Sequence, residues 1–330
     1  MPETQAVGRT DAGRRRHRNE DSFGIFAPAR PSQAALYVVA DGMGGYAAGD
    51  VASALAVEHV AAAFADGHDR DLAPRIELAI QAANEAINEG AAQDESRRGM
   101  GSTVVCAVMQ GARLVSAHAG DSRLYRIRGG AIERLTVDHS WVEEQLRVGL
   151  LTENEAREST NRNLITRALG IAPAAEVEIS HHAVEPGDLY LLCTDGLSNL
   201  VEDLELRDVA SSMPPQAACE QLIRLANDRG GPDNITALIV RVVSTGEEEA
   251  AGESHTSRAS SSRIGRIPRL PAGSPLADLY GMSPSEDASA RAAPRRALPL
   301  TWYATWVLIG LIAVGLILSF QDSIRALVGQ

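Results

Sequence analysis

The sequence predicts an α+β protein made of stacked, mostly antiparallel sheets covered by helices. Two observations predict it. Short apolar runs rich in strand formers recur between about residues 6 and 243, several joined by glycine turns. Helical stretches enter in pairs between them, rather than alternating singly with strands as in a doubly wound parallel sheet. The first strand with a strong signal is Ala35-Leu36-Tyr37-Val38-Val39-Ala40, ending in Asp41-Gly42. Asp50 to Phe64 carries Val51, Leu55, Ala56 and Val60 near helical spacing, with Asp50 as its expected N-terminal residue. Pro74 to about Ala92 repeats that pattern through Ile76, Ile80, Ala83 and Ile87. Ser102–Met109 and Arg113–Ala119 flank Gln110-Gly111, and Leu124–Arg128 and Ile132–Leu135 flank Gly129-Gly130, which predicts two hairpins. Polar, helix-prone sequence runs from His139 to about Leu169. Asp188 to Cys193 is a buried strand ending in Thr194-Asp195-Gly196, Gln216–Arg229 is helical, and Ile235–Val243 is a last strand entered by Gly230-Gly231-Pro232-Asp233-Asn234.

Composition excludes several functions. The formal charge of -12 argues against nucleic acid as a partner, because phosphate backbones are held by positive surfaces. All 31 residues counted as Lys+Arg are arginine. A P-loop, a protein-kinase site and a pyridoxal Schiff base each require lysine, so none of them is available. The 3 cysteines (Cys106, Cys193, Cys219) are too few and too far apart for a disulfide framework or a thiolate zinc site, and Cys106 and Cys193 sit inside apolar strands.

The first 243 residues read as one folded unit, and the N-terminus has no signal-peptide pattern. Residues 244–300 lose apolar periodicity and become rich in Ser, Pro and Ala, the composition of a disordered linker. From 301 to 321 the chain is free of charge and strongly apolar, long enough for one transmembrane helix, with Trp302, Tyr303 and Trp306 at one end. Arg291, Arg295 and Arg296 precede this span and only Arg325 follows it. The positive-inside rule then predicts a single-pass protein of the cytoplasmic membrane, its large N-terminal part in the cytoplasm and a short tail, 322–330, outside.

Four aspartates stand just after an apolar strand or in a glycine turn: Asp41, Asp121, Asp195 and Asp233, with Glu20-Asp21 as a fifth acidic point. Carboxylates brought together raise one another's pKa unless a cation compensates, and hard divalent ions such as Mg²⁺ or Mn²⁺ are suited to oxygen ligands. In order, Arg16-x-x-Asn19-Glu20-Asp21, Asp41-Gly42-Met43-Gly44-Gly45, Gly101-Ser102-Thr103, Gly120-Asp121-Ser122-Arg123, Asp195-Gly196 and Gly231-Pro232-Asp233-Asn234-Ile235-Thr236 resemble the metal-dependent protein phosphatases, the protein phosphatase 2C family.

That resemblance implies a four-layer α-β-β-α sandwich with two Mg²⁺ or Mn²⁺ ions at one end, and hydrolysis of phosphoserine and phosphothreonine in proteins. It implies that Asp41 bridges both ions, that the Gly42 carbonyl ligates one, and that Asp195 and Asp233 hold the other. Glu20 and Asp21 orient waters or ligate directly, Asp21 being the preferred contact, and Asn234 supports the set. Asp121 corresponds to the carboxylate of a third ion, shared with Asp195, with the Asn163 backbone as a further contributor. Arg16 stands where the family places its phosphate-binding arginine, and a guanidinium can grip two phosphate oxygens. Asp41, Asp195 and Arg16 are therefore the expected catalytic residues. Met43 replaces the histidine that some members use as a proton donor, leaving water at the metals or His139 for that task. The other histidines show no ligand spacing. Residues 140–160 correspond to the family's flap, with Glu143, Glu144, Arg147 and Glu153 available to substrate. The expected partners are phosphorylated proteins, a bacterial Ser/Thr kinase among them. A catalytically dead phosphoprotein-binding relative and a phosphatase of small phosphoesters at the membrane are the competing readings.

Overall fold

The computed structural model describes residues 2–28, 33–44, 48–67, 71–161 and 163–246, without the side chains of 157 and 158. Gly45, the expected linker beyond residue 246, the expected membrane span 301–321 and the expected tail 322–330 lie outside the described residues. Among the described residues no helix is long and apolar enough to cross a membrane.

Two antiparallel sheets form the centre. The first contains β1 (Glu3–Asp11), β11 (Ile235–Ser244), β10 (Leu189–Cys193), β7 (Arg123–Arg128) and β8 (Ala131–Arg134), in that spatial order. The second contains β2 (Asp21–Phe26), β3 (Ala35–Met43), β5 (Val104–Gln110), β6 (Arg113–Ala119) and β9 (Glu178–Ala183), with the short β4 (Gly101–Ser102) paired to the end of β3. Helices α1 (Gly49–Asp66) and α2 (Leu72–Gln93) cover the outer face of the second sheet. Helices α5 (Asp195–Ser198), α6 (Asp203–Ser212) and α7 (Pro215–Asp228) cover the first. Helices α3 (Trp141–Arg147) and α4 (Glu153–Glu158) sit between β8 and β9 in the chain.

Strand periodicity sorts the core into three layers. Tyr37 and Val39 of β3, Val105 and Ala107 of β5, Tyr190 and Leu192 of β10, and Leu238 and Val240 of β11 meet between the sheets. Their neighbours in sequence face outward. Leu36, Val38, Cys106 and Val108 pack under α1 and α2, while Leu191, Cys193, Ala237 and Ile239 pack under α6 and α7. Successive side chains of a strand point to opposite faces, so strands covered on both faces must be apolar throughout. Each fully buried Val, Leu or Ile contributes about 1.5–3 kcal/mol relative to exposure.

The structure corrects three local expectations. Helix α1 starts at Gly49, and Asp50 lies in its first turn, accepting the Val51 N–H at 2.8 Å. Backbone packing sets this start: a Cβ on Gly42 would lie 1.9 Å from the Gly49 carbonyl oxygen. The expected strand 102–109 breaks at Thr103, whose N–H donates to the Asp41 carbonyl at 2.8 Å and whose Oγ1 accepts the Asp41 N–H at 2.9 Å. The segment from His139 to Leu169 holds only two short helices. Gly149, at φ 74°, follows α3, and the Thr152–Glu155 capping box starts α4 afresh.

Asp188 anchors the first sheet to its rim. It is 1% exposed and accepts from Arg128 Nε (2.6 Å) and Nη2 (2.7 Å), the Glu185 N–H (2.9 Å) and the Tyr190 hydroxyl (3.0 Å). Burial opposes its ionisation, but these donors outweigh burial and hold its pKa below the ordinary carboxylate value. This stabilisation is present above the unfolded-state pKa and is lost as pH falls through the lower folded-state value. Asp188→Ala is expected to lower unfolding free energy by about 1.5–3 kcal/mol, measured by denaturant titration at neutral pH, because it removes charge-assisted hydrogen bonds from Arg128, which keeps only Glu185 and the Ala183 carbonyl as partners. The deficit relative to wild type should shrink as the pH is taken into the acid range.

Candidate metal centre

Strand ends from both sheets bring the acidic residues together. Asp21 opens β2 directly opposite Asp41 on β3. Asp195 begins α5 immediately after β10, and Asp233 lies in the turn that enters β11, the neighbour of β10. Asp121 occupies the turn between β6 and β7, where the chain passes from one sheet to the other. Close backbone contact holds the α5 side: a Cβ on Gly196 would lie 1.9 Å from the Asn234 carbonyl oxygen. Only glycine fits there, and the same is true of Gly42 where β3 meets α1.

Electrostatics confirm the convergence. The Asp41 carboxyl is pushed well above the usual carboxylate range, by burial first and then by Asp21, Asp195, Asp121 and Asp233. Burial, with Asp195 and Asp233 adding to it, lifts Asp21 to about 7 against the hydroxyls of Thr236 and Thr194. Asp121 is lifted to about 8 by burial, Asp195 and Asp138. Asp195 rises to about 6 through burial and Asp233, while a hydrogen bond with Asp41 restrains it. Glu20 is also raised, chiefly by burial.

The donor set fits a hard divalent ion. Asp21 Oδ2 accepts from Thr236 Oγ1 at 2.7 Å and Thr194 Oγ1 at 2.9 Å, whereas its Oδ1 is buried with no hydrogen-bond partner. A buried, unpartnered carboxylate oxygen amid four further aspartates is costly unless a cation meets it. Oxygen-only ligands select Mg²⁺ or Mn²⁺ over softer metals.

Arg16 lies on the loop between β1 and β2, half-exposed, with Nη2 donating to Asp233 Oδ2 at 2.8 Å. Asn234 fixes that loop. Its Nδ2 donates to the carbonyls of Ala12 (3.0 Å) and Arg18 (2.8 Å), and its Oδ1 accepts the Glu20 N–H at 2.8 Å. The Glu20 carbonyl in turn accepts the Gly42 N–H at 3.0 Å. Asn234 and Glu20 thus link Arg16 to the end of β3 through backbone contacts.

Arg16, Asp121, Asp195 and Asp233 line an open cleft of about 900 Å³. Glu143, Glu153 and Ala156 of the flap and Asn163 form part of its wall, with Glu202 and Asp203 at the start of α6. Glu144 instead accepts from Thr166 Oγ1 at 2.8 Å, and Arg147 is exposed. Met43 pairs with Gly101 at the end of β3. Three features escape a reading by motif. Thr194 and Thr236 lock Asp21. Arg123 binds Asp138 on the cleft wall, with Nη2 2.6 Å from Oδ2. His118, one of the histidines without ligand spacing, stacks on His139. The cysteines offer no nucleophile, since burial pushes Cys193 up to about 12 and Cys219 up to about 11, and raises Cys106 as well.

Residues 10–238 match the family described as Protein phosphatase 2C. The serine/threonine phosphatase stp of Listeria welshimeri is 38% identical over 237 residues, spanning 70% of this chain and 93% of the relative. The crystal structure of the Mycobacterium tuberculosis serine/threonine phosphatase PstP superposes with a TM-score of 0.67 at 35% identity, covering 74% of this chain and 100% of that one. A catalytic domain of PstP in complex with 2 manganese ions gives a TM-score of 0.66 at 35% identity, with coverage of 74% and 100%. The sandwich, the carboxylates at its end and the ordered motifs thus share one origin, and the chain belongs to the protein phosphatase 2C family.

Proposed function

We propose that this chain is a protein serine/threonine phosphatase that hydrolyses phosphoserine and phosphothreonine with Mn²⁺ or Mg²⁺, in opposition to a bacterial Ser/Thr kinase. One observation carries the reading: five aspartates converge, three of them (Asp121, Asp195 and Asp233) lining a cleft that also holds the half-exposed Arg16 guanidinium, with a buried Asp21 oxygen left unpartnered among them. Asp41, the Gly42 carbonyl, Asp195 and Asp233 would hold two ions, Asp21 would add a further contact, and Asp121 with Asp195 would hold a third. Bound there, the ions lower the pKa of water toward neutrality and offset charge on phosphorus and on the leaving oxygen.

The protein's own groups supply the rest. Arg16 exchanges its Asp233 contact for two oxygens of the phosphoryl group and orients it. Thr194 and Thr236 hold one Asp21 oxygen so that the other stays available. Asn234 and Glu20 keep the Arg16 loop in register with β3. The leaving alkoxide takes its proton from water in the cleft. Met43 carries no proton for it, and His139 is engaged elsewhere, its Nε2 on Glu178 at 3.4 Å and its Nδ1 on the Gly120 N–H at 3.2 Å.

The reading extends to the whole chain. The catalytic unit, expected as 1–243, keeps β11 through Ser244 and the buried Thr245, and is followed by a linker to 300, one membrane helix at 301–321 and a short outer tail at 322–330, so that catalysis takes place at the cytoplasmic face of the membrane. The long uncharged apolar run and the arginines before it support this.

Phosphate release from a phosphothreonine peptide is expected to require Mn²⁺ or Mg²⁺ and to stop in EDTA; turnover that persists in the chelator would exclude the mechanism. Asp41→Asn and Asp195→Ala should each lower kcat by at least about 100-fold, since even residues that only orient a metal ligand are worth about ten- to a hundredfold. Arg16→Ala should raise KM by about ten- to a hundredfold, because a hydrogen bond to a charged group is worth about 1.5–3 kcal/mol. Activity on aryl phosphate that exceeds activity on every phosphopeptide would favour the small-phosphoester reading, and no turnover at all would favour the dead relative. A fragment ending at residue 246, which retains all of β11 and the buried Thr245, should be soluble and fully active by the same assay.

A further inference from the structure

Beside the cleft lies a second cluster of titratable groups that hydrolysis does not use. His118 of β6 and His139 are 3% and 5% exposed, and their rings stack with centroids 4.5 Å apart and planes 15° from parallel. With Glu178 of β9 they offer three ligand atoms within 4.8 Å of one another, the spacing a bound metal would need. Their hydrogen bonds assign a different role. His139 Nδ1 accepts the Gly120 N–H at 3.2 Å and so carries a lone pair, which puts the proton of the neutral ring on Nε2, toward Glu178 Oε2 at 3.4 Å. A cation on Nε2 would require this ring to lose both its protons. The Val137 carbonyl, 2.8 Å from His118 Nε2, fixes the proton of that ring in the same way. Burial keeps both rings below the ordinary histidine pKa, and the charged groups acting on them are Glu178, Asp138 and Arg167.

His139 holds a turn that requires glycine. Its backbone N–H donates to the Gly120 carbonyl at 3.0 Å while its ring Nδ1 accepts the Gly120 N–H, so one residue grips both polar groups of another. Gly120 has φ 113°, a conformation that side chains rarely adopt, and a Cβ there would lie 2.6 Å from Thr103. The next residue is Asp121. On its other side, His139 accepts the Thr166 N–H at 2.9 Å, Ser140 caps α3, and the Trp141 N–H donates to the Leu164 carbonyl at 2.9 Å. The turn carrying Asp121 and the root of the flap are therefore tied to the same residue.

We propose that His139 is a positioning residue for the Asp121 carboxylate, acting through the Nδ1 acceptor that holds Gly120, with His118 and Glu178 setting the tautomer and tilt of its ring. The inference rests on the proposed role of Asp121 as a ligand of a third ion.

The test uses the full chain with His139→Asn, His139→Gln and His139→Ala. Asparagine places an amide oxygen near the position of Nδ1, whereas glutamine reaches toward Nε2 and fills more space. Mn²⁺ binding is followed by electron paramagnetic resonance without substrate, and kcat on a phosphothreonine peptide is followed over a range of Mn²⁺ concentrations. His139→Asn should stay within about threefold of wild type in both readouts. His139→Gln and His139→Ala should weaken the weakest Mn²⁺ site by about ten- to a hundredfold, the usual scale for groups that orient a ligand. In an Asp121→Ala background, His139→Gln should add less than about twofold, since two residues acting through one site are not additive. Glutamine performing as well as asparagine, or fully additive effects, would overturn the proposal. If His139→Ala does not fold, the contrast between Asn and Gln decides. The binding readout holds even for a chain that turns over no phosphopeptide, so failure of the hydrolytic reading is distinguished from failure of this one.

Discussion

Everything at the working end of this molecule answers to the mutual repulsion of carboxylates that the fold forces together. Asp21, Asp41, Asp121, Asp195 and Asp233 come from five separate stretches of chain, and each of the first four is made a weaker acid by burial and by the others. Left to itself, such a cluster would favour splayed strand ends. The sandwich resists by spending its most specific contacts there: Gly42 against Gly49, Gly196 against Asn234, Thr103 against Asp41, and paired threonine hydroxyls on Asp21. A rigid frame around repelling charges is a site prepared for cations.

The two sheets have different parts in this frame. The second supplies Asp21 and Asp41 from adjacent strands in register, so their separation is fixed by a ladder of backbone hydrogen bonds. The first supplies Asp195 and Asp233 from the ends of β10 and β11, also adjacent. Asp121 lies on the crossing between sheets and has no ladder of its own, so its placement falls to the contacts around Gly120.

Much of this was legible in the sequence, for a physical reason. Strands β3, β5, β10 and β11 are buried on both faces, so they appear as unbroken apolar runs that periodicity can find. Edge strands carry no such signal. β1 and β9 are largely half-buried or exposed along their length, and β9 includes His181 and His182; neither is apparent from composition. Helix α6 is missed because only Leu206 and Ala210 are buried in it. At the site, the aspartates are visible because glycine turns mark them. Their hydroxyl supports and the His118–His139 stack are not, since they depend on the register between strands far apart in sequence. The sequence marks Arg16 as the expected phosphate ligand, but it does not show the pairing of Arg16 with Asp233.

The pairing of β1 with β11 also gives the catalytic unit a polarity. Asp11 lies opposite Ile235 at the cleft end, and Glu3 lies opposite Ser244 at the other. Strands rise about 3.3 Å per residue, so the 10 residues of β11 separate these two poles by about 30 Å. Both termini of the sandwich therefore emerge side by side at the pole remote from the cleft. The cleft and the chain ends thus occupy opposite poles of the sandwich, and residues 245 and 246 leave it on the side away from the carboxylates.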